Sequence, residues 1–162
     1  MEKELEVKIL GIDLHEIEKK IIDLGGELIA EEEQVNTLID SKNTPIKSYL
    51  DAYLRIRETK DLLNNKSSTV LTLKKNINLE EVRENYELNT AIENKDIMLQ
   101  ILRDLGFDKI EIGFKERRSY KLLDARIDFD KWDKDTYPYP YLEIEVKNIK
   151  HLNKIVSLLE IP

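Results

Sequence analysis

Basic residues recur two positions apart along this 162-residue chain, and acidic pairs recur at the same interval. Arg55 and Arg57 flank Ile56, Thr72 and Lys74 flank Leu73, and Arg83, Asn85 and Glu87 alternate with Glu84 and Tyr86. Lys115 and Arg117 share the spacing, Glu143 and Glu145 flank Ile144, and Glu4, Glu6 and Lys8 alternate with Leu5 and Val7. Side chains two apart on a β-strand share one face. Arg and Lys suit phosphate oxygens, Arg through a planar fork of donors, whereas Glu pairs supply the hard oxygen ligands that Mg²⁺ or Mn²⁺ prefer. The two sets in one place describe a metal–polyphosphate site. A single such strand would be an ordinary solvated sheet face; six of them ask for a shared purpose. Opposite charges also tolerate burial together better than either set alone, because an isolated buried ion costs several kcal/mol.

The elements that must position these groups follow from the apolar pattern. A strand is predicted over about residues 3 to 10, with Leu5, Val7 and Ile9 on the face opposite the charges. A helix follows from Asp13, which with Glu16 makes a capping-box pattern, and ends at Gly25-Gly26; its Leu14, Ile17, Ile21, Ile22 and Leu24 form an apolar side. Strands are predicted near 27–33, 35–40, 52–59, 69–76 and 81–90. A second helix spans about 95–105 and stops at Gly106, a favoured residue for a left-handed helix end. Strands near 108–117, 118–130 with a break, and 140–148 precede a terminal helix at 151–159. Asp23-Leu24-Gly25 and Asp104-Leu105-Gly106 both close a helix and reopen a strand, which points to duplication, with two related halves around a common lumen. The stretch Asp61–Ser68 reads as a loose, mobile hairpin tip. A two-sheet sandwich needs an apolar interior, so charge on the inner face predicts instead a closed barrel with a wet interior and helices outside, an α+β fold.

The whole chain fits one domain, residues 1–162, large enough for a core without staples. It has no cysteine, which excludes disulfides and thiolate metal sites. The start Met1-Glu2-Lys3-Glu4 has no leader pattern and no stretch reaches the length of a membrane span, so a cytoplasmic protein without membrane contact is expected. The formal charge of −7 argues against broad attraction to nucleic acid, so the basic residues must serve a local purpose. His15 and His151 fall in predicted helices without paired ligand spacing and are placed outside the site. Trp132 and the Tyr137-Pro138-Tyr139-Pro140-Tyr141 run are expected to order a loop, although aromatic rings at a tunnel mouth could also stack on a base.

Glu4-x-Glu6-x-Lys8 resembles the signature that opens CYTH-domain proteins, the triphosphate tunnel metalloenzymes, which include class IV adenylyl cyclases, thiamine triphosphatases and inorganic triphosphatases. Arg55-x-Arg57, Thr72-x-Lys74, Arg83 with Glu87, Lys115-x-Arg117 and Glu143-x-Glu145 follow in the family's order over nearly the whole chain. The resemblance implies an eight-stranded antiparallel tunnel that binds a triphosphate with Mg²⁺ or Mn²⁺. By position it implies metal ligands at Glu4, Glu6, Asp128, Glu143 and Glu145, phosphate contacts at Arg55, Arg57, Lys74, Arg83, Lys115 and Arg117, and a catalytic carboxylate at Glu87. Lys8 matches the signature lysine, with either a phosphate contact or a part in activating the nucleophile implied. Family members often carry a carboxylate where this chain has Asn85, which is neutral and cannot act as a base.

Nothing in the sequence marks an adenine contact. Metal-dependent hydrolysis of tripolyphosphate, thiamine triphosphate or another small triphosphate is therefore expected over conversion of ATP to cyclic AMP and pyrophosphate. Binding without turnover is a third reading. The partner expected is a small-molecule triphosphate, and a homodimer is compatible with the pattern.

Overall fold

A computed structural model describes the backbone of residues 2–79 and 82–162 and the side chains of residues 5–76 and 84–162. Eight strands and three α-helices follow one another along the chain: β1 (Glu2–Ile9), α1 (Leu14–Asp23), β2 (Glu27–Asp40), β3 (Ala52–Asp61), β4 (Lys66–Leu79), β5 (Val82–Ala91), α2 (Lys95–Asp104), β6 (Lys109–Leu122), β7 (Ala125–Trp132), β8 (Tyr141–Val146) and α3 (Ile149–Leu158). The strands close into a barrel in the order β1-β5-β4-β3-β2-β6-β7-β8, with every neighbouring pair antiparallel. The expected α+β barrel with helices outside is therefore the fold.

Three predicted boundaries change. The strands expected at 27–33 and 35–40 are one continuous strand, β2, whose irregularity falls earlier, between Leu28 and Ala30. The strand expected to start at 118 is the continuation of β6. The break lies instead at Leu123-Asp124, both at positive φ (47° and 64°), a turn that joins β6 to β7. The tip between β3 and β4 is also tighter than a loose loop: Asp61 Oδ1 accepts from the backbone N–H groups of Leu63 and Asn64, at 3.0 and 3.1 Å, and Asn65 turns the chain at φ 52°.

Alternation sorts each strand into a polar lumen face and an apolar outer face. Leu5, Tyr120, Leu122, Ile127, Phe129, Leu142, Ile144 and Val146 point outward and bury against Ile17 and Ile21 of α1 and Leu152, Ile155 and Leu159 of α3. One patch of charge also fastens α1: Glu18 accepts both Arg118 Nε and Nη2, at 2.6 and 2.9 Å, and the Tyr120 hydroxyl at 2.6 Å. Helix α2 differs, because none of its side chains is fully buried and Ile97, Ile101 and Leu105 are half exposed or more. No helix among the described residues is long and apolar enough to cross a membrane.

All three helices end alike. Gly26 N donates to Ile21 O at 2.8 Å, Phe107 N to Leu102 O at 2.9 Å and Ile161 N to Val156 O at 3.1 Å, each across one left-handed residue: Gly25, Gly106 and Glu160. These are Schellman endings, and they satisfy carbonyls the helix leaves open.

Candidate active site

The charged residues two apart do share the lumen. A cavity of about 400 Å³ is lined by Glu6, Arg55, Arg57, Lys74, Glu87, Lys115, Arg117, Asp128, Glu143 and Glu145. Lys8 lies at an adjoining mouth of about 380 Å³, together with Tyr53, Trp132 and Tyr141. Strand register explains the gathering: Lys8 pairs with Glu143, Glu6 with Glu145, Lys74 with Glu87 and Asp128 with Glu143, so cross-strand neighbours carry the charges. Glu4 and Arg83 occupy lumen-face register positions, opposite Asn85 and Glu6 respectively, and their side chains lie outside the described residues. Of the adjacent arginines, Arg117 enters the lumen while Arg118 turns outward to Glu18.

Two ionic clusters divide the wall. In the first, Arg55 Nη2 lies 3.4 Å from Glu87, Lys74 Nζ lies 3.5 Å from Glu6, and Asn85 Nδ2 donates to Glu6 at 2.9 Å. In the second, Arg117 donates twice to Asp130, at 2.8 and 2.9 Å, and Lys115 Nζ donates to the same carboxylate at 3.3 Å. Asp128 accepts Ser119 Oγ at 2.5 Å and Arg126 Nε at 3.0 Å, and its other oxygen lies 3.7 Å from Arg117.

The cations crowd one another. Burial, then the charges of Arg55 and Arg117, push the Arg57 guanidinium down to about 9, which still leaves it charged at neutral pH. Burial and the charge of Arg117 likewise push Lys115 down, against the opposing pull of Asp130. Arg117 goes the other way: burial alone would lower it, but Asp128 and Asp130 together hold it well above its ordinary value. The carboxylates show the mirror effect on the β1–β8 side, where burial and then the charge of Glu6 push Glu143 up to about 7. Arg55 Nε is buried and meets no acceptor among the described residues. The lumen thus crowds Arg57 and Lys115 with like charges and Glu143 with Glu6, and leaves Arg55 Nε without an acceptor.

The oxygen-only donor set of Glu6, Glu143 and Glu145 fits a hard divalent cation. Among the described residues no three acidic or imidazole side chains are gathered closely enough to hold a metal by themselves, so a cation here would take further oxygens from water or a ligand. Sequence reasoning missed Asp130, Arg126 and Tyr53. Asp130 and Arg126 continue the same two-residue rhythm as Asp128 along β7, and Tyr53 precedes Arg55 by two, so the alternation itself held the signal. Trp132 does more than order a loop: it ends β7 on the lumen face, opposite Lys115.

The CYTH domain pattern matches residues 2–161, and the chain belongs to this family. A protein from Pyrococcus horikoshii OT3 is similar at 23% identity and a TM-score of 0.77, over 98% of this chain and 91% of that one. A Vibrio parahaemolyticus protein, described as a candidate adenylate cyclase, is 15% identical with a TM-score of 0.71, over 97% and 86% of the two chains. A Hippeastrum protein, described as a candidate adenylyl cyclase that reveals a dominant triphosphatase activity, is 17% identical with a TM-score of 0.65, over 98% and 89%. No curated protein matches the chain at a significant level.

Proposed function

We propose that this protein hydrolyses a small triphosphate, inorganic or organic, with Mg²⁺ or Mn²⁺. The observation that supports this reading above all is the like-charge crowding in one cavity: Arg57 and Lys115 pressed by neighbouring arginines, Arg55 Nε lacking an acceptor, and an acidic pair in which Glu6 raises Glu143. A polyanion with a divalent cation relieves both at once. Arg55, Arg57, Lys74, Lys115 and Arg117, with Lys8 at the mouth and Arg83 on β5, bind and orient the phosphate chain. Glu6, Glu143 and Glu145, with Glu4 two residues before Glu6, would hold the metal, which when bound neutralises charge on the phosphate oxygens. Asp128 is engaged by Ser119 and both neighbouring arginines, so its role here is to hold Arg117 and Arg126 in place. Glu87, steadied by Arg55, orients the attacking water and takes its proton as the bond from the terminal phosphorus to the bridging oxygen breaks. From tripolyphosphate the products are phosphate and pyrophosphate. The dominant triphosphatase activity described for the Hippeastrum relative favours the same direction.

The test incubates the protein and Mg²⁺ or Mn²⁺ with tripolyphosphate, thiamine triphosphate and ATP, scoring phosphate release against cyclic AMP plus pyrophosphate. Metal-dependent phosphate release is expected. Cyclic AMP as the main product would overturn the hydrolase reading, and tight binding by calorimetry without any product would replace it with a binding module.

A further inference from the structure

The mouth beside Lys8 holds a construction that the phosphate site alone does not explain. Trp132, the chain's one tryptophan, donates its indole N–H to the Tyr141 hydroxyl at 2.7 Å. Each ring carries a lysine: Lys115 Nζ lies 4.4 Å from the Trp132 centroid, and Lys8 Nζ lies 4.4 Å from that of Tyr141. Tyr137 backs the pair, edge-on to Tyr141 with centroids 5.5 Å apart and 5.9 Å from Lys8 Nζ. The strand beneath is cut away to admit the indole. A Cβ on Gly113 would stand 2.9 Å from Trp132 Cζ3 and 3.0 Å from the Thr136 side chain, closer than atoms pack, and Gly113 does not have the positive φ that would otherwise call for glycine. The chain after Trp132 is pinned to the same strand: Asp133 Oδ1 accepts Phe114 N at 2.8 Å and Thr136 Oγ1 at 2.7 Å.

We propose that Trp132 and Tyr141 form a rigid aromatic clamp, seated on Gly113, that positions the ammonium groups of Lys115 and Lys8 toward a bound phosphate chain. This rests on the triphosphate reading of the lumen. Lys115 Nζ sits on the indole face while donating to Asp130 3.3 Å away, so ring and carboxylate hold the ammonium from two sides and loss of the ring leaves it on the carboxylate alone. A lysine otherwise loses much rotamer freedom on meeting a ligand; held on a ring face it has lost that freedom already. Trp132 and Tyr141 are thus positioning residues, and the ring faces they turn to the lysines serve phosphate binding instead of stacking on a base.

Because Trp132 has no other tryptophan to obscure it, its emission reports the contact directly. In the unliganded protein, Lys115→Met is expected to change the emission maximum or yield of Trp132, while Lys131→Met, its exposed chain neighbour, leaves both unchanged. Trp132→Leu is expected to bind tripolyphosphate with Mg²⁺ about five-fold more weakly by calorimetry, which corresponds to about 1 kcal/mol for a cation–π contact. Trp132→Phe, which keeps a ring face, should recover most of that affinity. Unaltered emission in Lys115→Met, or equal affinity losses in the Leu and Phe variants, would overturn the clamp. If the wild-type protein fails to bind tripolyphosphate at all, the triphosphate reading falls, and the emission comparison still decides whether the lysine is held.

Discussion

At the scale of single residues, the lumen is built against its own stability. Arg57 is half-buried beside Arg55 and Arg117, and the cost of keeping its charge there is carried by the unliganded fold. Arg57→Met keeps most of the volume and removes that charge, so the unliganded protein should gain about 1 kcal/mol, read as a raised urea midpoint, while losing about ten-fold or more in tripolyphosphate affinity. A drop in stability would show that its bond to Asn36 Oδ1, at 2.7 Å, outweighs the repulsion. Glu6→Gln tests the acidic side. It should lower metal-dependent turnover about a hundred-fold with the circular dichroism of the fold intact, since the amide still accepts from Asn85 but no longer offers a charged ligand. The residues of both predictions were legible in the sequence because alternation declares a face. What it could not declare was how charges pair across neighbouring strands: the two hydrogen bonds of Arg117 to Asp130 need the β6–β7 register, which depends on where the Leu123-Asp124 turn falls.

At the scale of elements, the helix ends were readable and their shared geometry was not. Asp-Leu-Gly marked two endings, but the third uses Glu160 at φ 55°, a conformation that costs a side-chain-bearing residue about 1 kcal/mol or more. Glu160→Gly should therefore stabilise the protein by about 0.5–1 kcal/mol, seen as a higher melting temperature, because the ion pair to Lys20 that it gives up is solvent-exposed. The attachment of α1 has a pH signature. Burial alone would raise the Glu18 carboxyl, but hydrogen bonds from Tyr120 and Arg118 and the Arg118 charge outweigh it and hold it below its ordinary 4.5. A carboxyl lowered on folding contributes stability that is fully present above the unfolded value and is lost as pH falls through the folded one. Glu18→Gln should thus cost about 1–2 kcal/mol at pH 7, and the difference from wild type should shrink below pH 4.5. A constant difference across that range would assign the loss to packing. The split of β2 into two expected strands has a physical source as well: Ala30-Glu31-Glu32-Glu33-Gln34 has no apolar alternation, and pairing with β6 along its length, joined by β3 from Glu32 onward, keeps it extended.

At the scale of the whole molecule, the two halves implied by the repeated helix ends become a symmetry of the barrel. Exchanging β1 to β4 with β5 to β8 in the strand order returns the same circle read backwards, with α1 and α2 each following the first strand of a half. The halves have diverged in what covers them, since α1 buries Ile17 and Ile21 under the core while α2 buries no side chain fully and α3 has been added beside β8. Closing the circle places cations from β3, β4 and β6 opposite carboxylates from β1 and β8, inside a chain whose net charge is −7. An outside that repels polyanions and an inside that needs one predict a response that bulk ionic strength cannot imitate. With Mg²⁺ present, tripolyphosphate at a hundred times its dissociation constant should add about 2.7 kcal/mol of stability, or roughly 5–10 °C in melting temperature for a chain of this size. Sulfate or orthophosphate at equal ionic strength should give much less, because β3 and β2 separate Lys74 on β4 from Lys115 on β6 and a single tetrahedral anion spans less of that wall than a chain of three phosphates. Equal shifts for all three anions would mean that the basic groups bind charge without measuring its length, and the tunnel would lose its claim to a triphosphate.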